Sequence, residues 1–152
     1  MFKFILIIFL FSFSTIFASD SLQANSPLLI GRVSANQTQI AFASAGKIWI
    51  VDKNGGAARR LTNTPNDESD PIFSPDGKQI AYNPRMFIFG EWRYYRGGAA
   101  APIWITDLQT GATEKLPNQS SNDKNPMWIG DKIYFNSDRS GTFNLFEYDR
   151  KT

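Results

Sequence analysis

The chain has 152 residues, with 16 Lys+Arg against 14 Asp+Glu and neither His nor Cys. Without His there is no Ser-His-Asp triad, no imidazole base and no His metal ligand; without Cys there is no disulfide, thiol nucleophile or Cys-based metal centre. A net charge of +2 offers no basic surface for a nucleic acid, so carboxylate pairs, Ser–Lys dyads and all-oxygen metal sites are the chemistries left.

The first element is a targeting segment. Residues 1–18 read MFKFILIIFLFSFSTIFA, with Lys3 as a charged lead and an apolar run from Phe4 to Phe17. The run is short for a membrane anchor, and no basic stop follows it. The pattern predicts a secretory signal peptide cut between Ala18 and Ser19, a linker over 19–26 and an exported, periplasmic chain. An uncleaved N-terminal anchor is the alternative. A chain without Cys suits an oxidising compartment.

From residue 27 onward the elements are short strands that repeat. Ile40-Ala41-Phe42 is followed by Lys47-Ile48-Trp49-Ile50-Val51-Asp52 and then Arg59-Arg60-Leu61-Thr62. Next come Asp70-Pro71-Ile72-Phe73, Ile80-Ala81-Tyr82, Pro102-Ile103-Trp104-Ile105-Thr106-Asp107 and Thr113-Glu114-Lys115-Leu116. A third round begins at Asn125-Pro126-Met127-Trp128 and continues through Ile133-Tyr134-Phe135 to Asn144-Leu145-Phe146-Glu147-Tyr148-Asp149. Asp52 to Leu61 and Asp107 to Leu116 are each 9 residues, and Leu61 to Pro71 and Leu116 to Pro126 are each 10. Turn chemistry falls between the strands. In Ser74-Pro75-Asp76-Gly77-Lys78, Pro75 presets φ and Gly77 takes a positive φ. Gly130-Asp131, Lys53-Asn54-Gly55-Gly56 and Gln109-Thr110-Gly111 serve the other hairpins.

Apolar residues lie on both faces of these strands: Ile48 and Ile50 on one, Trp49 and Val51 on the other. Four-stranded units with two apolar faces stack face to face, as in propeller blades. The expectation is therefore an all-β chain: an incomplete arc of three blades over 27–152, the third lacking its outer strand, and no helix after the signal peptide. A closed propeller needs about four to eight blades, so the arc leaves apolar faces for a partner to cover.

One spacing breaks the repeat. Ile40 to Asp52 is 12 residues but Ile80 to Asp107 is 27, which places an inserted loop at about 83–101. It carries Trp92, Arg93, Tyr94, Tyr95 and Arg96, the residue types enriched at interface centres. Self-packing as a lid, contact with another domain and direct peptide binding are its three candidate roles.

No stretch carries a catalytic, cofactor-binding or metal site. Asp52, Asp107 and Asp149 end strands and are expected to cap turns. Asn66-Asp67-Glu68-Ser69-Asp70 lacks calcium-loop spacing and is expected to be a solvated loop between blades. Asp138-Arg139 is expected to be a surface ion pair.

Phe73-Ser74-Pro75-Asp76-Gly77-Lys78-Gln79-Ile80-Ala81-Tyr82 resembles the propeller repeat shared by the Tol-system translocation protein and tricorn-type proteases. Gly46-Lys47-Ile48-Trp49 with Gly55-Gly56-Ala57-Ala58-Arg59-Arg60-Leu61-Thr62 resembles the opening blade of bacterial tricorn protease homologs. Trp92-Arg93-Tyr94-Tyr95-Arg96-Gly97-Gly98 with Pro102-Ile103-Trp104-Ile105, and Asn125–Phe135 with Ser137-Asp138-Arg139, resemble a later blade. The resemblance implies the N-terminal propeller of a large serine peptidase whose PDZ and catalytic domains lie C-terminal to it, with the propeller filtering or routing peptides. It places no catalytic residue in this chain. The partners it implies are further blades, a PDZ domain and a catalytic domain. Self-association and peptides are further candidates, with no nucleic acid and no membrane once the signal is removed. A stand-alone periplasmic binding module or a non-functional truncated product are the competing readings.

Overall fold

The computed structural model describes residues 31–85, 100–118 and 120–151. The targeting segment, with Ala18 and Ser19, and the loop residues Trp92–Arg96 lie outside them.

Eleven strands run through the described residues, and no helix occurs among them. β1 (Val33–Ala35), β2 (Gln39–Ser44), β3 (Lys47–Asp52) and β4 (Arg59–Arg60) form an antiparallel sheet in chain order. β5 (Asp67–Phe73), β6 (Gln79–Arg85), β7 (Trp104–Asp107) and β8 (Thr113–Lys115) form a second. β9 (Asp123–Ile129), β10 (Lys132–Ser137) and β11 (Asn144–Asp149) form a third, of three strands. We call these blades 1, 2 and 3. They meet the expectation of four, four and three strands.

Each sheet is a meander, its strands paired in chain order, and the β5–β6 turn is tight. The Gly77 N–H donates to the Ser74 carbonyl at 2.9 Å, and Gly77 has φ of 71°. Asp76 accepts from the Ser74 hydroxyl and the Lys78 N–H, which fixes the turn. The three strand-ending aspartates cap turns as expected. Asp52 accepts from the Asn54 N–H, Asp107 from those of Gln109 and Thr110, and Asp149 from that of Lys151.

The blades stack through their alternating faces. Ala41, Ala43, Ile48 and Ile50 of blade 1 meet Phe73, Ile80 and Tyr82 of blade 2. The opposite face of blade 2, with Ala81, Ile103, Ile105 and Leu116, meets Ile133 and Phe135 of blade 3. Blade 2 is thus apolar on both faces because it has a neighbour on both, each buried Ile or Phe contributing about 1.5–3 kcal/mol. The far face of blade 3 is open: Met127, Ile129 and Leu145 are exposed.

Three expectations are corrected. Asn66–Asp70 is not a solvated loop: from Asp67 it is β5, and Glu68 is only 2% exposed. Asp138-Arg139 is not a surface pair: Asp138 is buried and accepts from the backbone and side-chain amides of Asn122, while Arg139 reaches Asp123. The inserted segment also begins later than the spacing suggests, since β6 runs through Asn83 and Pro84 to Arg85.

The inner strands β5 and β9 share one irregularity. Asp70 and Asn125 have φ of 56° and 54°, each immediately before a proline. The pairing register shifts at the same places, opposite Tyr82 and Phe135. Each inner strand therefore carries a bulge, which bends it and sharpens its twist.

Candidate functional site

Antiparallel order places the β2–β3, β6–β7 and β10–β11 connections and the links between blades at one end of the arc. The two described ends of the chain that flank the inserted segment lie at that end. Its described roots are Asn83 in β6 and Ala100–Pro102 before β7, and both are fastened to the first residue of β9.

That residue, Asp123, is fully buried. Its N–H donates to the Ala101 carbonyl at 2.7 Å. Its own carbonyl accepts from the Asn83 amide at 2.8 Å, and the same amide nitrogen donates to the Pro102 carbonyl at 2.9 Å. The Asn83 oxygen accepts from the Asn125 N–H at 3.1 Å. The Asp123 carboxylate accepts from the Ser121 hydroxyl, the Asn118 amide and the Arg139 guanidinium at 2.9, 2.9 and 3.1 Å. Arg139 in turn lies over the rings of Phe135 and Phe146, 4.9 and 5.1 Å from their centroids. A buried carboxylate is tolerated because its lone pairs are taken up.

The junction of blades 1 and 2 repeats the device. Glu68 lies three residues before Pro71, as Asp123 lies three before Pro126. Its carboxylate accepts from the hydroxyls of Thr62 and, at 2.6 Å, Thr64. Its N–H donates to the Gly46 carbonyl at 2.9 Å. Gly46 has φ of 69°, and a β-carbon there would displace the Asp67 carboxylate, so the turn favours glycine. Lys47 closes the link by donating to the Thr64 and Asn66 carbonyls.

Both carboxylates are engaged as acceptors, Glu68 by two donors and Asp123 by three. Their hydroxyl neighbours Ser121, Thr62 and Thr64 donate to them, and among the described residues no three acidic side chains gather to hold a metal ion. What the arrangement does is mechanical: it ties both described roots of the inserted segment to the start of β9. The aromatic cluster Trp92–Arg96 was picked out from the sequence by its residue types, whereas the buried carboxylates were not. The signal for them was the matching offset of Glu68 and Asp123 from the two prolines.

Comparison with known proteins agrees with this architecture. Residues 81–152 match the tricorn protease N-terminal β-propeller domain. Tricorn protease homolog 1 of Streptomyces coelicolor is 39% identical over 125 residues, 76% of this chain and 11% of that protein. Tricorn protease of Thermoplasma acidophilum is 31% identical over 108 residues, 71% of this chain and 10% of that protein. The chain thus spans about a tenth of the length of these curated relatives. The β-propeller domain of the Trilobed protease from Pyrococcus furiosus superposes with a TM-score of 0.59 at 19% identity, over 80% of this chain and 39% of that one. At that identity the likeness is one of fold.

Proposed function

Because the chain is part of an N-terminal tricorn-like β-propeller, we propose that it serves an exported serine peptidase by governing which peptides reach the catalytic centre. The domain match over residues 81–152 carries this reading. It is supported by the loop end of the arc, where the described roots of the aromatic and Arg-rich segment, Asn83 and Ala101, are tied to Asp123. With no His in the chain, the nucleophile and its base belong to a catalytic domain of the longer protein, and a PDZ domain and further blades are the other partners. Export follows from the apolar leader ending at Ala18. In this role Trp92, Tyr94 and Tyr95 offer flat apolar area with polar edges, and Arg93 and Arg96 bind carbonyl or carboxylate oxygens.

The test is the double change Trp92→Ala with Tyr95→Ala in the protein expressed from its intact gene. Hydrolysis of a long peptide should fall several-fold while that of a short fluorogenic peptide is unchanged. If the intact protein hydrolyses no peptide, the peptidase reading is wrong. If both rates stand unchanged in the variant, the segment has no part in access.

A further inference from the structure

The link between β3 and β4 reads Asp52-Lys53-Asn54-Gly55-Gly56 and contains the one Asn-Gly step in the sequence. Asparagine before glycine is a labile pairing. With no side chain to block the approach, the glycine nitrogen reaches the carbonyl carbon of the asparagine side chain.

The geometry leaves this approach open. Asn54, Gly55 and Gly56 are all exposed. Gly55 and Gly56 have φ of 100° and 111°, and a β-carbon on either would meet nothing within 4 Å. The Asn54 N–H donates to the Asp52 carboxylate at 2.8 Å, but the Asn54 side-chain amide makes no hydrogen bond among the described residues. The Gly55 N–H donates to the Asp52 carbonyl at 3.0 Å. That bond lies at an exposed turn, and its opening frees the nitrogen.

Other positions lack one or more of these conditions. The matching turn of blade 2 has the same bond, from the Gly111 N–H to the Asp107 carbonyl at 2.9 Å, but Thr110 stands before the glycine and carries no amide. Asn83 and Asn125 precede prolines, which have no N–H to lose. The side-chain amides of Asn118 and Asn122 donate to Asp123 and Asp138. Asp76-Gly77 has the glycine, but the Ser74 hydroxyl and Lys78 N–H hold its carboxyl ionised, and a carboxylate resists nucleophilic attack. Asn136 precedes Ser137 inside β10.

We propose that Asn54 is a site of spontaneous, irreversible deamidation that loosens the outer strand of blade 1. The Gly55 nitrogen gives up its proton and bonds to the Asn54 side-chain carbonyl carbon. The side-chain carbon–nitrogen bond breaks, and the amide nitrogen takes up a proton and leaves as ammonia. Water then opens the resulting succinimide at either carbonyl, giving an aspartyl or an isoaspartyl linkage. Both products place a new carboxylate beside that of Asp52, and the isoaspartyl link adds a carbon to the backbone between β3 and β4. β4 is exposed and held to β3 by the pairs Trp49–Arg60 and Ile50–Arg59 and by the Leu61 N–H on the Ile48 carbonyl at 2.8 Å. It is the element that gives way. The proposal is independent of what the arc binds.

The purified chain is kept warm at neutral pH for weeks and cut with trypsin, which frees Asn54–Arg59. Mass spectrometry reads deamidation, and methyl transfer from labelled S-adenosylmethionine by an isoaspartyl methyltransferase reads the isoaspartyl product. Asn54 should convert about tenfold or more faster than Asn136, as an unhindered and mobile backbone step requires. The rate should rise with pH, because the attacking nitrogen must be deprotonated. Asn54→Gln, which would have to close a larger ring, should stay intact. Hydrogen exchange at the Leu61 N–H should quicken several-fold in the aged chain and remain unchanged in aged Asn54→Gln. The comparison with Asn136 and the pH series need no variant. Conversion at Asn54 no faster than at Asn136, or a rate that does not rise with pH, overturns the site. Conversion that leaves Leu61 exchange unchanged overturns the loosening of β4.

Discussion

Arg139 reaches back sixteen positions to donate to Asp123 at 3.1 Å, and its guanidinium covers the Phe135 ring while doing so. One side chain thus neutralises a buried charge and seals it from water. Removing one member of a buried pair costs about 3–5 kcal/mol. Ser121 and Asn118 remain on Asp123, and Arg139 is 27% exposed, so Arg139→Ala should cost less, about 2–3 kcal/mol. Arg139→Lys keeps the charge, loses the planar stack and should cost about 1 kcal/mol. Urea denaturation of the three proteins gives the order, and equal midpoints would refute it.

Glu68 predicts a similar loss at the other junction. Glu68→Ala leaves the Thr62 hydroxyl without its acceptor and Thr64 with only the Asn66 carbonyl at 3.3 Å, and should destabilise by about 1–3 kcal/mol. Glu68→Gln retains one acceptor oxygen and should fall between. Thermal unfolding distinguishes the three, and a neutral Glu68→Ala would mean that water replaces the carboxylate freely.

The turn aspartates predict the acid limb of stability. The Thr110 backbone and hydroxyl hold the Asp107 carboxyl below its ordinary 3.8, and the Ser74 hydroxyl with the Lys78 N–H does so for Asp76. A depressed folded pKa gives stability that is complete above the unfolded value and lost as pH falls through the folded one. Melting temperature should therefore drop as the pH is taken below 3.8. Asp76→Asn with Asp107→Asn should flatten that drop. An unchanged acid limb in the double variant would place the sensitivity elsewhere.

The open face of blade 3 predicts self-association. Ile129 and Leu145 are 64% and 61% exposed, and isolated apolar patches seek cover. Ile129→Lys with Leu145→Lys should reduce the apparent mass in size-exclusion chromatography without lowering the melting temperature. If the parent chain already elutes as a monomer that binds no hydrophobic dye, this expectation is wrong.

The purified chain by itself should turn over no peptide, because it has no His to act as base for a Ser nucleophile and no catalytic-domain motif. Hydrolysis of a fluorogenic peptide that disappears on changing a single Ser would contradict this.

The strands were legible because spacing and turn chemistry repeat. Asp52 and Asp107 stand at matching offsets from Leu61 and Leu116, and glycines mark the turns. The buried carboxylates were not legible. Glu68, Asp123 and Asp138 look like solvent-facing charges in a sequence, and only the fold reveals their buried donors. The bulges were hidden because a residue before proline is normally extended, whereas Asp70 and Asn125 are left-handed. The length of β6 was underestimated because Pro84 argues against a strand. It is accommodated past the last β6–β7 pair, Tyr82 with Trp104, where the strand has a neighbour on one side only.

The forty positions between Asn83 and its acceptor carbonyl on Asp123 are also an interval of time. A chain made from its N-terminus at roughly 5–20 residues per second exposes Asn83 for about 2–8 s before Asp123 exists. During that interval the hairpin of β5 and β6 is complete, but the amide that anchors its end has only the Pro102 carbonyl to hold, and that only once it too has been made. The arc therefore matures in one direction, each blade finishing only when its successor has been synthesised. The moments of greatest exposure to proteases and chaperones are set by the spacing of the repeat.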